Sequence, residues 1–281
     1  VKFEKWQALG NDYLILEEER LPWALNAKRV EWLCDPHFGV GADGVLLLSR
    51  SEDPQFVADL RIFNPDGSEA ELSGNGAREA ILYLRRHGWT DQDTFAISTV
   101  AGPIVPTITG ELTCAVEMGS AATSSKDFPS GGEDGTGTLG AAGREWSFQH
   151  VSIGNPQCAI VVGEELDDLD LGQIGPEIEG HELFPNRTNV SFLAIDGSRV
   201  RARIFERGVG ETLSSGTGAS GAAVTAFLGG AASPIVVELE GGELEVEIGE
   251  ELAVRLSGWA EPVYAGELSP ELLSALSELD E

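Results

Sequence analysis

Two serines, Ser73 and Ser215, each stand directly before a glycine-rich start to an apolar stretch: Ser73-Gly74-Asn75-Gly76-Ala77 and Ser215-Gly216-Thr217-Gly218-Ala219. Serine is a favoured helix N-cap, and glycine lets the main chain approach a ligand closely. The first turn of a helix presents uncommitted N–H groups and a partial positive charge, which together seat a small anion such as a carboxylate. Two such ends acting on one ligand would also favour negative charge developing on it. Plain capping is the alternative for either motif alone, but recurrence at matched positions favours binding. Neither motif carries the Lys-Ser/Thr of a P-loop or the Gly-x-Gly-x-x-Gly of a dinucleotide fold, which argues against a nucleotide. Asp66, Glu71, Glu206 and Glu211 lie close in sequence and are candidate proton carriers, since burial raises a carboxyl pKa into the useful range.

The elements that hold these serines repeat. Arg61-Ile62-Phe63 returns 142 residues later as Arg203-Ile204-Phe205, and at the same offset Glu69 matches Glu211 and Ser73-Gly74 matches Ser215-Gly216. Gly76-Ala77 and Ala80 match Gly218-Ala219 and Ala222. Each copy reads as a strand, a polar loop and a helix, and a weaker echo pairs Gly10-Asn11 with Gly154-Asn155. A unit of this length is too long for a solenoid repeat and predicts two homologous domains. Short β-rich runs are expected over 58–63, 94–99, 104–108, 113–118, 159–162, 190–195 and 235–239, with a half-buried alternating strand over 242–248. Helices are expected around Glu31 and over 76–86, 218–227 and 270–279, an α+β pattern. The Gly-, Ser- and Thr-rich segment 129–143 reads as a mobile hairpin loop. The domain boundaries are expected to give 1–117 plus 263–281 as the N-terminal half and 118–262 as the C-terminal half.

Composition narrows the partners. With 47 acidic residues against 18 basic, the net charge is -29, which disfavours nucleic acid and anionic lipid. There is no apolar run long enough for a membrane span and no signal-peptide pattern at the start, so the cytoplasm is the expected setting. Cys34, Cys114 and Cys158 show neither disulfide nor zinc spacing and read as small buried hydrophobes. His37, His87, His150 and His181 show no ligand spacing, and no metal is expected.

With these residues in view, the chain resembles the diaminopimelate epimerase family from end to end. The matching stretches include Leu9-Gly10-Asn11-Asp12, Phe63-Asn64-Pro65-Asp66-Gly67-Ser68-Glu69, Thr99-Val100-Ala101-Gly102, Gly154-Asn155-Pro156, Asn189-Val190 and Glu206-Arg207-Gly208-Val209-Gly210-Glu211, together with both serine motifs. The resemblance implies two pseudo-symmetric domains, each a β-barrel around a central helix, with the active site in the cleft between them and the C-terminal segment returning to the first domain. It also implies inversion at an amino-acid α-carbon without pyridoxal phosphate or any other cofactor, one thiolate removing the α-proton and a second thiol supplying another. By position, Asn11, Asn64, Asn155, Asn189, Glu206 and Arg207 form the implied substrate-binding set, with the amides at Gly74-Asn75 and Gly216-Thr217 receiving the α-carboxylate. The ligand expected is a small zwitterionic amino acid such as diaminopimelate, a precursor in lysine and peptidoglycan biosynthesis. A homodimer is compatible with this.

The sequence departs from the implied pattern at three places. Ser73 and Ser215 stand where the resemblance implies the catalytic cysteines, and Gln157 stands where it implies a histidine. A thiol ionises near about 8.5 and lower still at a helix N-terminus, whereas a serine hydroxyl needs an adjacent general base. The leading expectation is an epimerase with Ser73, Ser215 and Glu206 as the catalytic residues. The alternatives are a related isomerase that uses a carboxylate base, and a non-catalytic amino-acid binder.

Overall fold

The computed structural model describes residues 1–71 and 73–279; Leu72, directly before the first serine motif, and residues 280–281 lie outside the described residues. The chain forms two compact units, Val1–Val116 with Trp259–Glu281, and Glu117–Gly258. No helix among the described residues is long and apolar enough to cross a membrane.

The first unit opens with β1 (Lys2–Ala8) and β2 (Asn11–Glu17), followed by α1 (Ala27–Cys34), β3 (Val45–Ser49), β4 (Asp59–Phe63) and the short β5 (Glu69–Ala70). Then come α2 (Gly74–Arg86), β6 (Ile97–Thr99), β7 (Gly102–Ile104) and β8 (Pro106–Gly110), which pairs with the start of β9 (Thr113–Ser120). A returning strand, Glu261–Glu267, pairs antiparallel with β1, and the sheet continues β1-β2-β3-β4-β6-β7, with β5 against β4. Among the described residues these pairings make a path and not a closed ring. The pleat of β2 decides what faces what, because successive side chains point to opposite faces. Leu14 and Leu16 join Val30, Leu33, Leu47 and Leu276 in a core beneath α1 and the closing helix Pro270–Ser277. Tyr13 points the other way, onto α2. Its cross-strand partner Trp6 does the same and meets Tyr83 of α2 edge-on.

The second unit contains β10 (Thr136–Ala141), β11 (Arg144–Ser152), β12 (Pro156–Val161), α3 (Leu171–Glu179), β13 (Asn189–Asp196) and β14 (Arg199–Glu206). It continues with β15 (Gly210–Thr212), α4 (Gly216–Leu228), β16 (Ile235–Leu239), β17 (Gly242–Ile248) and β18 (Ala253–Trp259). The sheet order is β10-β11-β12-β13-β14-β16-β17-β18, with β15 against β14. Helix α4, Gly-Thr-Gly-Ala-Ser-Gly-Ala-Ala-Val-Thr-Ala-Phe-Leu, is small-residue-rich and buried over nearly its whole girth, as a helix enclosed by strands must be. The opposite face of the sheet carries a second core of Phe128, Trp146, Phe148, Phe184 and Phe192 under α3.

The mixed α+β pattern expected from sequence is present in both units. One local expectation needs correction. The segment 129–143 is not loop throughout, because β10 occupies most of its second half and pairs residue for residue with β11. Its Thr-Gly-Thr-Leu-Gly-Ala sequence buries only Leu139 and Ala141, so its alternation is weak. Helix α3 was not among the expected helices; despite Gly172, Gly175 and Pro176, its Leu171, Ile174 and Ile178 stripe packs into the aromatic core. Phe192 is fully buried edge-on against Trp146, so Phe192→Ala should destabilise the protein by about 3–5 kcal/mol, read as a lowered midpoint in urea unfolding.

Candidate active site

Both serines are true N-caps. Ser73 precedes α2 with extended backbone, and its Oγ accepts the Gly76 amide at 3.1 Å. Ser215 does the same for α4, accepting the Gly218 amide at 3.2 Å. The strand pairs leading into them also match: Arg61 Nε donates to Glu69 Oε1 at 2.7 Å and Arg203 Nε to Glu211 Oε1 at 2.8 Å. Glu211 is therefore committed to an arginine across β14 and β15. Gly10 and Gly154 hold the same left-handed backbone, φ 81° and 80°, in the tight turns that deliver Asn11 and Asn155.

In the first unit, Asn11 Nδ2 donates to Asp43 at 3.0 Å, and its Oδ1 lies 3.4 Å from the Asn75 amide. Asn75 in turn accepts from buried Arg78. Asn64 sits in the turn after β4 and donates to Ser68 at 3.0 Å, so among the described contacts it does not touch Ser73. The hydroxyl of Tyr13 reaches Ser73 Oγ at 3.2 Å, a contact that sequence reasoning did not anticipate. Its only signal was position: Tyr13 follows Gly10-Asn11 as Gln157 follows Gly154-Asn155. Burial pushes the Tyr13 phenol up to about 12, partly offset by the bond to Ser73, with Glu79 and Asp43 raising it further.

In the second unit, Ser215 Oγ donates to Glu206 Oε2 at 3.1 Å, while Glu206 Oε1 accepts from Thr212 at 2.9 Å. Asn155 donates to Thr217 at 3.2 Å and accepts from Gln157 at 2.7 Å. Asn189 bridges the Pro156 carbonyl at 3.1 Å and the Arg207 amide at 2.9 Å, and the Arg207 guanidinium donates to the Asn186 carbonyl. Gln157 lies against Gly221, where a Cβ would come within 3.0 Å of it. His150 occupies the other face of the same sheet, among Phe128 and Phe184, and is not at the serine.

Of the four candidate carboxylates, only Glu206 is hydrogen-bonded to a cap serine among the described residues. Asp66 is exposed and held below the usual carboxylate range by the Ser68 hydroxyl and amide, and Glu71 is exposed. Glu79, absent from the sequence-based candidates, is fully buried on α2 with neither oxygen hydrogen-bonded. Burial pushes its carboxyl well above the ordinary value; Asp12 and Asp43 add to this and Arg78 opposes it. The three cysteines are buried as expected. Burial raises the thiols of Cys34 and Cys114 to about 12 and that of Cys158 higher, so none is a ready nucleophile.

Comparison with known proteins places this geometry. A family model described as diaminopimelate epimerase matches residues 3–124 and 149–258. A protein named diaminopimelate epimerase 2 from Nostoc sp. is 39% identical over 284 aligned positions, covering 98% of each chain. The chain belongs to the diaminopimelate epimerase family. Among solved structures, a phenazine biosynthesis protein of the PhzF family from Bacillus anthracis superposes with a TM-score of 0.68 at 18% identity, covering 96% of this chain and 99% of that one. A hydroxyproline epimerase from Agrobacterium vitis gives 0.59 at 16%, covering 100% and 98%. These two likenesses define the fold.

Two outcomes check the electrostatics. Native protein should react with a thiol reagent far more slowly than urea-unfolded protein; rapid labelling of the native form would contradict the burial of the cysteines. Burial holds the folded-state Glu79 carboxyl above its unfolded value of about 4.3, so folding favours the protonated form and stability falls as pH rises from that value toward the raised one. Glu79→Gln should therefore gain stability over the parent as pH is raised from 4 to 7, and equal gains at both ends of that window would refute the assignment.

Proposed function

We propose that the protein inverts an amino-acid α-carbon without an organic cofactor, with Ser73 and Ser215 as the catalytic pair and Glu206 as the base behind Ser215. The observation that carries this reading is the 3.1 Å bond from Ser215 Oγ to Glu206 at a helix N-terminus. A serine is a poor base alone, but a carboxylate that takes its proton as the α-proton is removed supplies what the hydroxyl lacks. Proton transfer by such a positioned group contributes about 10²–10⁴-fold. The first-turn amides at Gly74-Asn75 and Gly216-Thr217 suit the α-carboxylate and the charge that develops beside it. Asn11, Asn64, Asn155, Asn189 and Arg207 complete the substrate contacts in this reading.

Relatives named diaminopimelate epimerase support diaminopimelate as the substrate. The acidic surface and buried thiols suit the cytoplasm and a small zwitterion. A second reading has Glu206 take the α-proton itself, favoured by its being a carboxylate placed directly at the serine cap.

Diaminopimelate incubated with the protein in deuterated water should invert with deuterium appearing at the α-carbon, followed by NMR and chiral separation. Inversion should be lost in Ser73→Ala, in Ser215→Ala and in Glu206→Gln. Inversion that survives Ser215→Ala but not Glu206→Gln would select the second reading. Tight binding without any exchange would leave an amino-acid binder.

A further inference from the structure

The two caps sit at equivalent positions, yet their hydroxyls are wired in opposite senses. Ser215 accepts one amide and gives its hydrogen to Glu206. Ser73 accepts two donors, the Gly76 amide and the Tyr13 phenol, and among the described residues its own hydrogen has no acceptor. The position that matches Glu206 in the first unit is Asn64, a neutral amide engaged with Ser68. No carboxylate among the described residues is hydrogen-bonded to Ser73.

We propose, resting on the serine-pair reading above, that Tyr13 is a positioning residue that makes Ser73 the proton donor whenever Ser215, with Glu206, removes the α-proton, the opposite inversion running back through the same groups. A hydroxyl that receives two hydrogen bonds is a better donor through its remaining hydrogen, because hydrogen bonds in a chain polarise one another. The reverse holds at Ser215, whose hydrogen is already directed to a carboxylate and whose lone pairs are the available atoms.

On one face of the substrate the Cα–H bond breaks as Ser215 Oγ takes that proton and passes its own to Glu206, which becomes a neutral carboxyl. On the other face Ser73 gives its hydroxyl proton to Cα, and Oγ takes the phenolic proton of Tyr13. The phenolate regains a proton from solvent through Ser73 after product leaves, and Glu206 loses one to solvent. A phenol is a stronger acid than an aliphatic hydroxyl, so the charge left behind rests better on Tyr13 than on Ser73.

Position gives the side chain this role, and a phenylalanine would fill the same space. Tyr13 projects from β2 onto the face of α2 that carries Gly76, where a Cβ would come within 3.3 Å of the ring. Removing only the phenolic oxygen therefore isolates the hydrogen bond.

The experiment uses Tyr13→Phe with LL- and meso-diaminopimelate, each in deuterated water, reading inversion and α-deuterium separately and substrate affinity by calorimetry. The expected result is a fall in inversion of about 100-fold or more, with affinity within about twofold and deuterium still entering one isomer only. That isomer is the one whose α-hydrogen faces Ser215, and exchange into it should vanish in Ser215→Ala. Ser73→Ala should reproduce the one-isomer pattern and reads the same assignment should Tyr13→Phe fail to fold. Inversion at the parent rate in Tyr13→Phe, or loss of exchange into both isomers with binding kept, would overturn the proposal. Absence of exchange in the parent protein would instead remove the serine-pair reading, and this inference with it.

Discussion

The interaction on which the rest depends is the hydrogen bond from the third residue of each enclosed helix back to the serine that caps it. A buried helix cannot leave its first amides without partners, and in both units the cap is the hydroxyl proposed to take part in the reaction. The same bond fixes the direction of each Oγ, so each hydroxyl is aimed before any ligand arrives. The strands then differ in what they bring to the other side of that oxygen. In the second unit β14 ends on Glu206, and in the first unit β2 contributes Tyr13.

The two halves share a plan and diverge in how the central helix is tolerated. Helix α4 is small enough to be enclosed, and its buried Ser220 and Thr225 bond to carbonyls one turn back, Gly216 and Gly221. Helix α2 instead carries Arg78 and Glu79 as fully buried side chains directly after Ala77. A lone ionised carboxyl could not be held there, and neutralisation is the low-energy answer. The arginine is partnered through Asn75, which ties it to Asn11 and, through Asp43, to the loop before β3. The first turn of α2 is thus braced by a polar network, whereas the start of α4 is braced by shape and by Asn155 on Thr217.

Much of this was legible in the sequence. The Ser-Gly-x-Gly-Ala repeats gave both caps and both central helices, because capping and helix starts depend on residues within one turn of each other. Glu206 was also legible, since it lies near the second serine motif and within the set that the family resemblance implies. The Tyr13 contact was not: it follows from which face of β2 the ring takes, and that parity is set by Leu14 and Leu16 having to fill the opposite core. Glu79 escaped for a related reason, because a glutamate on a helix reads as solvated until its neighbours are known. Helix α3 was obscured by glycine and proline, whose local penalties are outweighed by the apolar stripe that joins the aromatic core.

The caps carry one more implication, concerning the exchange of oxygen for sulfur. A serine oxygen is a strong, compact acceptor for the Gly76 and Gly218 amides; sulfur at the same sites is larger and accepts weakly. Thiols at both positions would ionise more readily and loosen the helix starts in the same stroke. In this chain, acidity at the cap and rigidity at the head of the helix are drawn from one atom, and oxygen settles that competition in favour of rigidity.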